Sequence, residues 1–286
     1  MQMSSKRSAE RDAPPAPEPL TPLVDAHTHL DACGAKGANA AKDTVRAIVD
    51  RAAAVGVQAV VTVADDLASA RWVTRAADAD DRVYAAVALH PTRADSLTDD
   101  ARGEIEALAA HPRVVAIGET GLDLYWPGRL EGCADPLTQR EAFAWHIDLA
   151  KRTGKPLMIH NRDADAAVLD VLRAEGSPET VIFHCFSSGP EMAHTCADAG
   201  WMLSLSGTVT FRNARDLREA APLIPMEQLL VETDAPFLTP HPYRGAPNEP
   251  YCLPYTVRAL AELLGVSAAE LAQVTSRNAR RVYGLH

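Results

Sequence analysis

Several features that would place the chain in a familiar class are missing from its sequence. No apolar run approaches the roughly 18 residues that span a bilayer, and no signal-peptide-like apolar stretch occurs near the N-terminus. The five cysteines are scattered and none forms a C-x-x-C pair, which disfavours a zinc ribbon or a disulfide framework. We therefore expect a cytoplasmic protein with reduced cysteines, no membrane association and no evident obligate protein partner.

Positive charge is also scarce. The chain has 28 Lys and Arg against 38 Asp and Glu, a formal net charge of −10. A protein that tracks along duplex nucleic acid needs clustered basic residues with interleaved aromatic ones, and the sequence contains no such track. Any nucleic acid must therefore be bound locally, as a short single-stranded end or a nucleotide-like molecule.

The composition divides the chain into two parts. Residues 4–22, SSKRSAERDAPPAPEPLTP, are rich in proline and charge and offer little to bury, so we predict that residues 1–22 form a disordered arm. The remainder, residues 23–286, is long enough for one domain with a large core.

Short apolar runs alternate with segments of helical period throughout that domain, which is typical of parallel strands covered by helices. The predicted strands are 23–30, 58–65, 83–90, 114–121, 156–163, 180–187, 201–208 and 229–236. The predicted helices are 43–55, 67–79, 101–110, 137–153, 164–175, 190–199, 213–221, 254–265 and 267–280. Eight strand–helix repeats predict an α/β fold, a TIM (β/α)8 barrel. The competing doubly wound sheet would usually carry a Gly-rich loop after its first strand, where DAHTHL stands instead.

Potential metal ligands occur at the ends of the predicted strands. His27 and His29 project together from the first strand, with Asp25 one layer deeper. The other strand ends carry His90, Glu119, His160, His184 and Asp234. Enzymatic barrels build their sites from the carboxyl ends of several strands, so we expect these side chains to converge at one rim.

Four histidines with one shared Glu and one Asp suit two divalent ions about 3.5–4 Å apart. Imidazole and carboxylate ligands favour Zn, Mn, Fe or Co, and Mg less naturally. A single ion in a histidine-rich shell is the alternative. Four other histidines have no partner at ligand spacing and are predicted to be structural or surface residues: His111, His146, His194 and His286. His241 follows the eighth strand and could face the site, but we expect it to be a loop residue.

Read together, the motifs DAHTHLD, ALHP, GETGLD, IHNRDA, HCFS, ETDAPFL, PYRG, NEP and SRNARRVY resemble those of the TatD family of metal-dependent hydrolases. The similarity covers essentially everything after the arm. It implies a TIM barrel with two divalent ions, Mg, Mn, Zn or Fe, bridged by Glu119. The ligands implied are His27, His29, Glu119 and Asp234 for one ion, and Glu119, His160 and His184 for the other.

The same resemblance implies a deoxyribonuclease that acts as a 3′–5′ exonuclease on DNA ends. Two cations lower the pKa of a bridging water, and the resulting hydroxide would attack the phosphodiester. Asp234 is placed, as in related barrels, to take the proton of that water. His90, Arg162 and Arg244 are the candidates for binding the substrate phosphate, although either arginine could instead be a structural loop residue.

Two other functions stay open. The same site could hydrolyse an acyl bond, such as the ester of a D-aminoacyl-tRNA, because metal ions polarise carbonyl as well as phosphoryl oxygens. A barrel that binds a metal or partner without catalysis is the third, and the full set of ligand residues disfavours it. A carboxylated lysine bridge, found in related barrels, is not expected, because none of the five lysines (Lys6, Lys36, Lys42, Lys151 and Lys155) ends a predicted strand.

Overall fold

A computed structural model of the protein describes residues 11–33 and 42–285. Its strands are β1 (Leu23–Thr28), β2 (Val57–Val63), β3 (Val83–Val87), β4 (Val114–Asp123), β5 (Leu157–Arg162), β6 (Val181–Phe183), β7 (Met202–Leu205) and β8 (Leu229–Val231). Its α-helices are α1 (Lys42–Ala54), α2 (Leu67–Ala79), α3 (Asp99–Ala109), α4 (Pro136–Thr153), α5 (Asp165–Glu175), α6 (Pro190–Asp198), α7 (Arg215–Ala220), α8 (Leu253–Leu264) and α9 (Ala268–Tyr283). Among these residues, no helix is long and apolar enough to cross a membrane.

The eight strands are parallel and neighbour one another in sequence order. Their buried residues divide between two clusters, as β2 illustrates: Ala59, Val61 and Val63 pack in the second cluster, while Val60 between them packs towards the helices. Alternation of this kind follows from the two-residue period of a strand. The predicted single-domain TIM barrel is confirmed.

Local sequence signals set the ends of the helices. The Asp135 side chain accepts hydrogen bonds from the backbone N–H groups of Leu137 and Thr138, and Pro136 occupies the first turn of α4. The same helix ends at Gly154, which adopts the left-handed conformation with φ 64°. An Asp N-cap followed by Pro and a Gly C-cap is the pattern expected for a helix start and stop.

The barrel closes where β8 meets β1. Backbone hydrogen bonds cross the seam just beyond the strand ends, from Asp234 N–H to the His27 carbonyl at 3.0 Å and from His29 N–H to the Ala235 carbonyl at 2.7 Å. Deeper in the barrel, the Asp25 carboxyl accepts from Thr233 N–H at 2.8 Å and from the Thr233 hydroxyl at 2.6 Å. Asp25, expected one layer deeper than the two histidines, therefore links the first strand to the last.

The C-terminal helix α9 covers the end of the barrel where the strands begin. Asn278 Nδ2 donates to the carbonyls of Met226 and Leu229, both at 2.8 Å, and Tyr283 Oη donates to the Ala26 carbonyl at 3.0 Å. Tyr283 packs in the cluster that fills the barrel. This leaves the carboxyl ends of the strands, at the opposite end, for a functional site.

The N-terminal arm differs from the disorder that its composition predicts. Residues 11–22 contain no helix, but Pro14 and Pro17 are buried. Tyr251 Oη and Tyr255 Oη donate to the carbonyls of Pro14 and Pro15 at 2.7 and 2.8 Å. Residues 1–10 of the predicted arm lie outside the described residues. The described part of the arm is therefore fastened to the barrel beside helix α8.

We expect Asp25→Ala to lower the free energy of unfolding by about 2–4 kcal/mol, because two buried donors of Thr233 lose their acceptor. Burial raises the pKa of Asp25 to about 8, so Asn resembles the protonated side chain. Asp25→Asn should therefore cost only about 1 kcal/mol. Urea unfolding of chelator-treated protein measures both values. Equal losses in the two variants would contradict the role of the Asp25–Thr233 hydrogen bonds in joining the first strand to the last.

Candidate metal centre

A cavity of about 660 Å³ opens at the carboxyl ends of the strands. Six of the strand-end residues that the sequence selected line it: His29, His90, Glu119, His160, His184 and Asp234. His27 lies directly beneath, fully buried, with its ring stacked on that of His184 at 3.9 Å between centroids. The structure thus brings together the side chains that were expected to converge at one rim.

The first half of the cluster is built on β1 and on the loop after β8. Nε2 of His27 and Nε2 of His29 lie 3.1 Å apart, and each lies 3.5 Å from Asp234 Oδ1. Oε1 of Glu119 approaches the same two nitrogens, at 3.9 and 3.6 Å. These four side chains therefore point their ligand atoms at one small volume.

The second half lies on the other side of Glu119. Its second oxygen, Oε2, is 3.2 Å from His160 Nδ1 and 2.6 Å from His184 Nε2. Glu119 is only 3% exposed, and both of its oxygens are directed at imidazole nitrogens. One carboxylate thus stands between two groups of ligand atoms, the arrangement that a shared ligand requires.

The ring nitrogens of His29 and His160 that face away from the cluster determine the tautomers of these two histidines. His29 Nδ1 is 3.2 Å from the Val63 carbonyl, and His160 Nε2 is 3.1 Å from Asp123 Oδ2. Both partners accept hydrogen bonds, so in the neutral rings these nitrogens carry the protons and the opposite nitrogens present lone pairs. The His160 lone pair then faces a Glu119 oxygen, and such a contact is repulsive unless a cation or proton lies between. The donor set therefore fits a divalent metal ion.

Electrostatics are compatible with this conclusion. Burial and the neighbouring charge of His184 keep the pKa of His27 well below its usual value. Burial also disfavours a charged His29, but its hydrogen bond to Asp234 and the charge of Asp65 outweigh this and raise its pKa to about 10. Glu119 remains ionised despite burial, because His184 and His90 hold its pKa well below the usual range. The buried carboxylates thus require nearby positive charge, which either protons on His29 and His184 or a divalent cation can supply.

His90 belongs to the cavity in a different role. Thr92 N–H donates to His90 Nδ1 at 3.2 Å, so the proton of the neutral ring resides on Nε2. Burial, followed by the charge of His160, lowers the pKa of His90 to about 3. In this state Nε2–H lies 3.3 Å from His160 Nδ1 and is a hydrogen-bond donor at the cavity floor. A donor there suits an anionic substrate oxygen better than a metal ion.

Two acidic residues at the site were missed by the sequence analysis. Glu232 is fully buried, accepts from Cys185 N–H at 2.8 Å and lies 3.4 Å from His184 Nδ1. It could have been found because it precedes Asp234 by two residues, the period of a strand. Asp65 lines the cavity, 3.8 Å from His29 Nδ1. It ends a predicted strand, as the recognised ligand candidates do.

The glycine two residues after Glu119 allows the cluster to form. Gly121 has φ +139°, and a Cβ added there would lie 2.1 Å from the His160 carbonyl oxygen. A side chain would therefore push β4 away from β5 and separate Glu119 from His160. The GETG motif is explained by close approach of two strands rather than by approach to an ion.

The two predicted phosphate-binding arginines lie in different places. Arg162 lines the cavity, with its guanidinium carbon 4.1 Å from the centre of the Tyr125 ring. Arg244 is not among the residues that line the cavity; it lies over Phe211 at 4.2 Å and hydrogen-bonds Asn213. His241, expected to be a loop residue, is exposed and outside the lining too. Of the two arginines, only Arg162 is positioned to meet a molecule in the cavity.

Comparison with known proteins agrees with this geometry. Residues 24–284 match the model of the TatD related DNase family. Over 263 residues the chain is 76% identical to a metal-dependent hydrolase, TatD, of Mycobacterium tuberculosis, covering 92% of this chain and 98% of that protein. It is 32% identical to a protein of Erwinia tasmaniensis named a 3′-5′ ssDNA/RNA exonuclease, covering 83% of this chain and 93% of that one.

The fold matches solved structures of the same type. The crystal structure of YjjV, a TatD homologue from Escherichia coli, superposes with a TM-score of 0.82 at 27% identity. The match covers 92% of this chain and 98% of that one. A hydrolase of this type from Entamoeba histolytica superposes with a TM-score of 0.80 at 18% identity, which supports the fold alone.

His146 supports the cluster from behind. Its ring lies in α4, where Nε2 accepts from Leu89 N–H at 3.3 Å and Nδ1 donates to the Ala142 carbonyl at 2.7 Å. Nδ1 also lies 3.1 Å from Thr120 Oγ1. Leu89 precedes His90, and Thr120 follows Glu119. His146 therefore has a structural role, as predicted. Its neutral ring links helix α4 to the segments that carry His90 and Glu119.

Burial lowers the pKa of His146 from 6.5 to about 4. The unfolded chain therefore takes up a proton below pH 6.5 that the folded protein refuses until about pH 4, and folding stability falls as the pH drops through this window. Relative to His146→Gln, the wild type should lose about 2 kcal/mol between pH 7 and pH 5. Urea unfolding in chelator at several pH values measures this difference, and parallel profiles would exclude a buried neutral imidazole.

Proposed function

The chain belongs to the TatD family of metal-dependent hydrolases, and from this premise we propose that it is a nuclease that removes nucleotides from the 3′ ends of single-stranded DNA. The observation that carries the proposal is the position of Glu119. Oε1 faces the His27–His29 pair and Oε2 faces the His160–His184 pair, so one carboxylate can serve two ions.

The residues divide into two ligand sets on this basis. One ion would be held by His27, His29, Glu119 and Asp234, and the other by Glu119, His160 and His184. When bound, a pair of divalent ions lowers the pKa of an attacking water and neutralises charge on the phosphoryl oxygens. The mixture of imidazole and carboxylate ligands suits Zn, Mn or Fe. The set that contains both Glu119 and Asp234 can also hold Mg.

The protein's own donors would orient the phosphate. His90 Nε2–H at the cavity floor can donate to a non-bridging oxygen, and its low pKa keeps the ring neutral at physiological pH. Arg162 lies over the Tyr125 ring at the cavity wall and can pair with a second oxygen. A neutral donor and a fixed cation together bind a phosphodiester without requiring a basic surface.

Asp234 is the proposed proton acceptor. It is 9% exposed, lines the cavity and places Oδ1 3.5 Å from both Nε2 atoms of the first histidine pair. From this position the carboxylate can orient an attacking water, take its proton and return that proton to the leaving 3′ oxygen. The role needs no further base at the cavity floor.

Size and charge favour a strand end as the substrate. A cavity of about 660 Å³ is in the range that accommodates a small molecule or a single nucleotide, and too small for a duplex. The net charge of −10 opposes wrapping of long nucleic acid around the surface. The exonuclease name of the Erwinia tasmaniensis relative supports the same substrate class.

We expect the wild type to bind two equivalents of Mn²⁺ or Zn²⁺ after chelator treatment and reloading. Glu119→Gln should weaken both sites by at least about tenfold, whereas Asp234→Asn should weaken only one, because Asp234 faces only the first histidine pair. Calorimetric titration with each ion measures both effects. A single equivalent bound by the wild type would favour the single-ion alternative, and one equivalent bound at undiminished affinity by Glu119→Gln would contradict a shared ligand.

We expect chelator-treated protein to be inactive and to shorten single-stranded DNA from its 3′ end after addition of Mg²⁺, Mn²⁺ or Zn²⁺. His184→Ala should lower kcat/KM by at least about a hundredfold, since it removes a ligand and the Glu232 contact behind it. The matched control is His194→Ala, because His194 is exposed on helix α6. The measurement follows 5′-labelled DNA with free and blocked 3′ ends.

The same preparations are tested against a D-aminoacyl-tRNA. Metal-dependent deacylation without DNA shortening would replace the nuclease with the acyl hydrolase as the function of this site. Activity on neither substrate, with two ions bound, would refute both.

A further inference from the structure

Phe237 is unusual among the apolar side chains of the described residues. Five large ones are at least 36% exposed, and Phe237 is the aromatic member of this group, with 55% exposure. It also lines the cavity above the metal centre. An exposed ring forgoes the stabilisation that burial would give, and an exposed aromatic at the mouth of a site is a common feature of ligand recognition.

The backbone around Phe237 is fixed by polar contacts rather than by packing of the ring. Phe237 N–H donates to the Asp234 carbonyl at 2.9 Å. Asn248, which is 1% exposed, donates through Nδ2 to the carbonyls of Thr233 and Phe237 at 3.0 and 2.5 Å. The buried amide of Asn248 thus fixes the backbone that carries the ring and leaves the ring itself in solvent, as a preorganised binding surface requires.

The following residues tighten the same loop. Leu238 has φ 56°, a left-handed conformation that is uncommon for a residue other than glycine. Its carbonyl oxygen would lie 2.1 Å from a Cβ added at Gly207, so the loop presses against the chain after β7. Strain of this kind is retained where the surrounding structure imposes it, and it concentrates at functional sites.

The ring stands within one nucleotide of the reacting centre. Its centroid is 5.9 Å from that of His29, in a T-shaped arrangement with an interplanar angle of 72°. Asp234 precedes it by three residues. A phosphate held at the histidines and at His90 would therefore have its own sugar and base beside Phe237, whose exposed ring offers a flat apolar surface.

We propose that Phe237 stacks on the base of the 3′-terminal nucleotide and thereby positions the scissile phosphodiester over the metal centre. Aromatic side chains bind single-stranded nucleic acid in this way, with little preference among bases, because every base has a π-face. The inference rests on the proposed function for its substrate class. The competing reading is that the ring only shields His29 from water, in which case the base of the substrate is irrelevant.

The test varies the enzyme and the substrate together. Phe237→Ala should lower kcat/KM on single-stranded DNA by about 5- to 150-fold, the range expected for loss of one stacked base, mainly through a higher KM. On DNA whose 3′-terminal nucleotide lacks a base, the wild type should show a comparable loss and Phe237→Ala no further loss. Phe237→Trp should retain activity on normal ends. Leu137→Ala, which removes an exposed side chain outside the cavity, is the control.

Equal losses for Phe237→Ala on normal and base-free ends, or failure of Phe237→Trp to retain activity, would overturn the stacking role and support shielding of His29. Those outcomes leave the nuclease itself intact, because metal-dependent shortening would still be seen. Binding is measured in parallel with DNA carrying 2-aminopurine at its 3′ end. If no DNA is cleaved, Phe237-dependent quenching of this base would preserve the stacking site while the nuclease fails. Absence of quenching would exclude the site as well.

Discussion

The carboxylate of Glu119 is the constraint on which the site depends. It is almost fully buried, and its two oxygens face two separate pairs of imidazoles. A buried anion is tolerated only when it is compensated by charge and hydrogen bonding, so the surrounding strands must deliver these partners within a few ångströms. Gly121 permits the close approach of β4 to β5 that delivers His160. The barrel supplies the rest by bringing its strand ends to one rim.

Groups behind the histidines also help to compensate the buried charge of Glu119. Val63, Asp123 and Glu232 face the far nitrogens of His29, His160 and His184. Each acceptor favours a proton on the far nitrogen and leaves a lone pair towards the cavity. His90 is the exception, since Thr92 N–H reverses its tautomer and makes its inward nitrogen a donor. Backbone and carboxylate groups outside the cluster therefore decide which histidines can bind a metal and which can bind a substrate.

The sequence predicted the barrel and most of the cluster because both follow from short-range periodicity. All eight strands were located, and ligand-type residues at strand ends marked the rim. What it missed depends on contacts between distant segments. Pro-rich composition predicted a disordered arm, yet the hydroxyl groups of Tyr251 and Tyr255 fix residues 14 and 15 from 237 and 240 positions away. Arg244 was grouped with Arg162 by residue type, and only tertiary structure shows that Arg162 lines the cavity and Arg244 does not.

An acidic chain and a phosphodiester substrate are compatible when the charges that matter are confined to a cavity. Exposed charges farther apart than about 10 Å are largely screened at moderate salt, so the net charge acts weakly on a strand end that has already entered. Within the cavity, the cations held by the cluster and the neutral donor of His90 act at short range in a less polar medium, where each is more effective. The acidic exterior still disfavours long contacts with the remainder of the strand. On the proposed function, recognition then depends on the terminal nucleotide itself, which is the part that would lie against Phe237.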